Sequence, residues 1–310
     1  MELIGVNQPP ARRLNWTNIL FFIGTPIAAA AGVWLTVRGG LQLVDVACFL
    51  GMMLLSCVGV IAGYHRYFSH RTYQAHRALQ AFYLLAAAGG FHQSALVWAS
   101  EHRDHHKFVD TEKDPYNIRK GFFWAHLGWI FHGETRASFD NVPDLNKDKL
   151  VLFQHRYYVP LAIGVGFGLP TLIGLAFGHP WGGLFWGGFL RVVVFQHCTF
   201  LVNSAAHTSG TRPYTDGETA RDSWWLSFLT FGEGHHNFHH AFPGDYRIGH
   251  RWWHFDPAKW WIGSMRALGL TKRLQRTPPD RIARARERLA AESPALVRRR
   301  GARFAEELQG

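Results

Sequence analysis

The chain has 310 residues, 47% of them hydrophobic, with 33 Lys and Arg against 22 Asp and Glu for a formal charge of +11. That is enough apolar material for a sizeable core, and a positive balance that suits nucleic acid, an anionic membrane surface or acidic protein partners. Cys48, Cys57 and Cys198 lack Cys-x-x-Cys spacing, which excludes a disulfide framework, an iron-sulfur cluster and a zinc ribbon, and leaves them as small apolar packing residues.

Residues 1–18 carry Arg12 and Arg13 and precede the uncharged stretch ILFFIGTPIAAAAGVWLTV, residues 19–37, which nearly reaches the ~20 residues that cross a bilayer. Ala28 to Ala30 imitate a signal-peptidase site, but the apolar run continues to Val37, so a retained helix is expected. An RGG hinge leads to a second apolar stretch at 44–64, and the two form one transmembrane hairpin over 19–64. Residues 78–98 are apolar but contain His92, Gln93 and paired glycines, which predicts a helix in or on the membrane face and not a further span. A second hairpin over 158–202 has its turn at HPWGG, with spans of about 158–178 and 183–202.

Two large segments remain, 65–157 and 203–275, followed by a basic tail at 276–310. Twelve Lys and Arg fall in 65–157 and 17 in 203–310, whereas the short hairpin turns carry only Arg38. The positive-inside rule therefore places both large segments and both termini in the cytoplasm. Topology explains most of the charge, and nucleic acid is not an expected partner. In the tail, Ile282, Ala285 and Leu289 recur at helical spacing among arginines, as in a solvated helix or one that binds anionic lipid or an acidic electron carrier.

Nineteen histidines are present, and 17 lie in those two segments. Three clusters stand out: HRYFSH with His65 and His70, HRDHH with His102, His105 and His106, and HNFHH with His236, His239 and His240. Offsets of three and four bring the imidazoles of each triplet to one side of a helix. An offset of five turns about 140° on a regular helix, so either the helix ends near His65 or the two histidines address different metals. Imidazole ligation suits zinc, copper, iron or nickel, and a zinc site takes only three or four ligands. Eight histidines therefore point to two metals with open positions. Two redox-active irons would reduce dioxygen and attack a strong carbon–hydrogen bond at the membrane face. The pair of Glu-x-x-His motifs that carboxylate di-iron bundles place on two helices is not found. Glu101, Asp104, Glu233 and Asn237 either orient the imidazoles or serve as surface and helix-terminal groups.

The stretches GYHRYFSHRTY, EHRDHHKFVDTEKDPYN, GFFWAHLGW, LVNSAAH and GEGHHNFHHAFPGDYR, in this order, resemble the membrane-bound fatty acid desaturases of the acyl-CoA (stearoyl-CoA) type. The resemblance runs from about residue 15 to about residue 275. It implies an all-α integral membrane protein in which four transmembrane helices stand beneath a helical cytoplasmic cap holding a di-iron centre. Carried over by motif, the ligands are His65, His70, His102, His105, His106, His207, His236, His239 and His240, with Asn203 acting through a water; His207 and Asn203 come from the resemblance alone. The implied reaction uses dioxygen and two electrons to insert a cis double bond into a saturated acyl chain, usually at the ninth carbon. Trp98, Met53 and Cys57 are the expected tunnel residues.

Some positions depart from the pattern. Ser100 stands where the resemblance expects an arginine, and Gly133 and Glu134 where it expects an arginine and a lysine, so the usual grip on CoA phosphates is reduced. Arg103, Arg136 and Lys107 are the nearby substitutes, and a membrane phospholipid is the alternative acyl carrier. His235 stands where an aromatic residue is common and is expected to pack beside the ligands. HPWGG around His179 is not a haem motif, so electrons are expected from a separate ferredoxin-type or cytochrome carrier with its reductase. A hydroxylase on the same cofactor is the nearest rival function, and a metal transporter the more distant one, although its ligands belong within the spans.

Overall fold

The structure is a computed structural model describing residues 14–132 and 139–291. Gly133, Glu134 and Arg136, and the terminal stretches 1–13 and 292–310, lie outside the described residues. Four helices are long and apolar enough to cross a membrane: Trp16–Gly39, Leu43–Ser69, Tyr158–Ala176 and Pro180–His207.

Local chemistry explains where these spans begin. Asn15 caps the first by accepting a hydrogen bond from the Asn18 amide at 3.1 Å, so it starts before the apolar run itself. Its buried positions are small, Thr25, Ala29, Gly32 and Thr36, and Gly32 lies flat against the Phe185 ring of the fourth span. The second span opens with a reciprocal cap, in which the Asp45 carboxylate accepts from the Gln42 amide at 2.9 Å. The fourth starts on Pro180, whose missing N–H costs nothing in a first turn.

The second span runs five residues beyond the expected hairpin because its hydrogen bonding widens from Val58 to Ser69, each amide reaching back five residues. Gly59 allows the backbone of Ala87 to approach, and Gly63 receives the Tyr83 ring, both from the helix Arg77–Ala88. The apolar stretch 78–98 is indeed not a span: it breaks between Arg77–Ala88 and the helix Ala95–Phe108, with Phe91 and Gln93 at positive φ. Irregular backbone at this depth needs polar partners. Arg191 of the fourth span donates to the carbonyls of Gly89, Gly166 and Gly187, and Gln196 donates to that of Phe91.

The two large segments fold together above the same ends of the second and fourth spans. Gln74–Ala75 pairs antiparallel with Thr271–Lys272, joining segments nearly 200 residues apart. Beneath that pair the fully buried Arg66 forms ion pairs with Glu233 and Asp256, both at 2.9 Å.

Candidate metal centre

Nine histidines converge at this junction in two groups. His65, His70, His102, His106 and His239 form one, and His105, His207, His236 and His240 the other, with the candidate ligand atoms of each group within 4.8 Å of one another. The grouping differs from the simple reading of the motifs. Each triplet divides its imidazoles: the pair four apart, His102 and His106 or His236 and His240, goes to one group, while the odd member, His105 or His239, crosses to the other. A triplet thus contributes to both groups, instead of building half a site for one.

The five-residue offset is explained by the widened helix. The amide of His70 donates to the His65 carbonyl at 3.1 Å, so one wide turn separates them and their rings stand 5.0 Å apart in the same group. The helix therefore neither ends at His65 nor sends the two histidines to different groups.

Carboxylates and hydroxyls fix which nitrogen faces inward. Glu233 accepts from His65 Nδ1 at 2.8 Å, Asp114 from His105 Nδ1 at 2.8 Å and Glu218 from His240 Nδ1 at 2.7 Å. Thr219 Oγ1 lies 2.8 Å from His207 Nδ1 and donates to Asp110 at 2.6 Å, so it accepts from the imidazole. Protons held at Nδ1 leave Nε2 lone pairs directed into the groups. His207 and His240 each bring such a nitrogen to 3.1 Å from His236 Nε2, and His105 Nε2 is buried with no hydrogen-bonding partner among the described residues. Lone pairs converging so closely repel unless a cation stands between them. Two imidazole nitrogens about 2.1 Å from one ion and at right angles would be about 3 Å apart, so the donor set fits a metal in each group. Burial, aided by neighbouring charge, holds His70, His102, His106, His236, His239 and His240 well below the usual histidine range, which keeps them neutral ligands.

The other expected residues take varied places. Burial alone would raise the Glu233 carboxyl, but His65 and Arg66 beside it hold it below its usual value. Asp104 accepts a hydrogen bond from Asn141 at 2.7 Å. Asn237 faces away from the imidazoles: it accepts from the Tyr214 amide at 2.9 Å and donates to Thr215 and Ala220 carbonyls, fixing the loop that carries Glu218 and Thr219. Its influence on His240 and His207 is therefore indirect. Asp110, Asp114, Glu218 and Thr219 were not singled out from the sequence, where isolated polar residues in loops carry no periodic signal.

A cavity of about 760 Å³ runs from the metal groups into the membrane region. His65, His102, His105 and His236 face it together with Glu101 and Asn203, and Phe21, Val60, Ile61, Phe167 and Phe200 supply apolar wall. Trp98 joins the two parts, lining the cavity while stacking on His102 with ring centroids 4.8 Å apart. Met53 and Cys57 are not on this wall; both are buried in the main apolar core, and Val60 and Ile61, one turn closer to the cap, take the lining positions. Met53 and Cys57 belong to the regular part of the span, before it widens at Val58.

Comparison with known proteins agrees with this geometry. The fatty acid desaturase family model matches residues 42–273. A probable acyl-CoA desaturase of Schizosaccharomyces pombe is 41% identical over 87% of this chain and 57% of its own length. Acyl-CoA desaturase 1 of Saccharomyces cerevisiae is 38% identical over 88% and 54%, so the chain spans little more than half the length of these two relatives. The stearoyl-CoA desaturase of Sus scrofa is 38% identical over 84% of this chain and 74% of its own length. A match across most of the chain, carrying all three histidine clusters, means that the chain belongs to the fatty acid desaturase family.

Proposed function

We propose that this chain is an oxygen-dependent fatty acyl desaturase that inserts a cis double bond into a saturated acyl chain. The observation that carries the reading is the meeting of two imidazole groups with one largely apolar cavity at the ends of membrane-spanning helices. His65, His70, His102, His106 and His239 would hold one iron, and His105, His207, His236 and His240 the other. Bound there, the irons would supply dioxygen activation and hydrogen abstraction from an unactivated carbon. In the overall balance dioxygen becomes two waters, using two hydrogen atoms of the acyl chain, two protons and two electrons from an external carrier.

The chain's own residues position and insulate. Glu233, Asp114 and Glu218 hold protons at Nδ1 so that each Nε2 remains a ligand. Trp98, braced on His102, and the aromatic wall restrict where an extended chain can lie, and such positioning must choose the carbon because methylenes are chemically alike. Asn203 faces the same space and would hold a water beside the second group. Both large segments are assigned to the cytoplasm by the distribution of Lys and Arg.

For the acyl carrier we favour CoA, the thioester named for the relatives. One observation supports a membrane phospholipid instead: Arg103 is fully engaged with Asp144 at 2.7 and 3.0 Å and with the carbonyls of Phe68, Ser69 and Asn141. It has no donor to spare for a phosphate, and the buried Ser100 is hydrogen-bonded to Asn141. Purified iron-loaded protein supplied with stearoyl-CoA or with labelled phospholipid, a reductant system and oxygen decides between them. A cis olefin in the CoA pool, expected at the ninth carbon, supports the favoured reading. Conversion of the phospholipid alone replaces CoA as carrier, and a hydroxylated product without olefin refutes desaturation.

A further inference from the structure

The loop HRWWHF, residues 250–255, is unexplained by the metal centre. Trp252 is 82% exposed and Trp253 56%, an unusual state for the largest apolar side chain. Behind them the rings continue inward. Trp253 meets His254 edge-on at 5.9 Å, and His254 stacks on His235 at 3.9 Å with only 12° between planes. His235 is the chain neighbour of His236, one of the nine converging histidines. A file of three rings thus leads inward from an exposed tryptophan to His235, which is joined to the metal centre by its peptide bond to His236.

Around the outer end of that file lies positive charge. Ile282 and Ala285 of the helical residues 279–291 pack on Tyr214, Phe238 and Phe242, directly behind the third histidine cluster. Four arginines against two acidic residues occupy the rest of this stretch, Arg281 lying over Phe242 at 5.7 Å. Arg251 covers Trp253 at 5.1 Å, and the His250 ring of the same loop lies 5.9 Å from Tyr214 and 4.5 Å from Phe238, on which the helix packs, so loop and helix adjoin in one basic surface.

We infer that this surface docks an acidic one-electron carrier protein, and that its electrons reach the metal centre through Trp253, His254 and His235. The inference rests on the desaturase reading, which requires electrons from outside the chain. Complementary charge orients such a partner and speeds its encounter, and tunnelling is most effective through bonded or closely packed atoms. Each docked carrier loses one electron and the metal centre gains it; two such events supply the two electrons of one turnover. An anionic lipid surface would use the arginines but would leave the ring file without a purpose.

The test uses the purified, iron-loaded protein with two acidic probes, a soluble plant-type ferredoxin and the soluble haem domain of cytochrome b5. The triple variant R251E/R281E/R286E should raise the Kd of at least one probe by about tenfold or more, and the wild-type Kd should weaken with salt. His254→Leu should leave that Kd unchanged while slowing anaerobic oxidation of the bound, pre-reduced probe by about tenfold or more, and His254→Phe, which restores a ring, should recover most of the rate. Reduction by dithionite should be normal in every variant, because it bypasses the surface. Unchanged Kd in the triple variant overturns the docking site, as does loss of binding to phosphatidylglycerol vesicles with carrier affinity intact. An unchanged oxidation rate in both His254→Leu and Trp253→Leu overturns the route. Wild-type protein whose iron dithionite cannot reduce overturns the desaturase reading itself.

Discussion

The two histidine groups are held by different means. In the four-histidine group, three imidazoles are oriented by side chains from loops: His105 by Asp114, His240 by Glu218, and His207 by Thr219 backed by Asp110. In the five-histidine group Glu233 holds His65, and it belongs to the buried Arg66 and Asp256 network at the junction with the membrane helices. One group therefore depends on loops that can be altered locally. The other depends on a network that also holds the cap to the second span.

Removal of a ligand is the harshest way to break the comparison. His105→Ala and His106→Ala, adjacent in sequence but in different groups, should each reduce bound metal by about half and abolish desaturation. Elemental analysis of the purified variants would show whether the loss is confined to one group. Glu233→Gln should act next most strongly, because it removes a carboxylate from a buried guanidinium; about 3 kcal/mol of stability should be lost, read as a lowered denaturation midpoint.

Glu218→Gln should leave stability nearly intact and weaken metal binding by about 10–100-fold, in the four-histidine group only, as measured by chelator competition. The smallest effect is expected from Tyr116→Phe. Its hydroxyl is 3.5 Å from His102 Nδ1, the outer limit of a hydrogen bond, and the same competition assay should change by less than about threefold.

The sequence disclosed the parts of the molecule governed by periodicity. Four apolar runs became four spans, and the broken stretch 78–98 became two helices around a polar-satisfied turn. Offsets of three and four located both histidine triplets, while His207, alone in NSAAH, required the family resemblance. What stayed hidden depended on the departure of one helix from regular geometry. The widening after Val58 places His70 beside His65. The loop residues Asp114, Glu218 and Thr219 were hidden for another reason: they are polar residues in irregular segments, marked only by the histidines they meet after folding.

The central claim is that two metal groups share one acyl cavity and perform desaturation. Its most direct test is turnover of stearoyl-CoA by the iron-loaded protein under ¹⁸O-labelled dioxygen, with product and water analysed together. The account predicts a cis-unsaturated chain free of label, with all the ¹⁸O recovered in water. A product carrying ¹⁸O in a hydroxyl group, with no olefin, would contradict it.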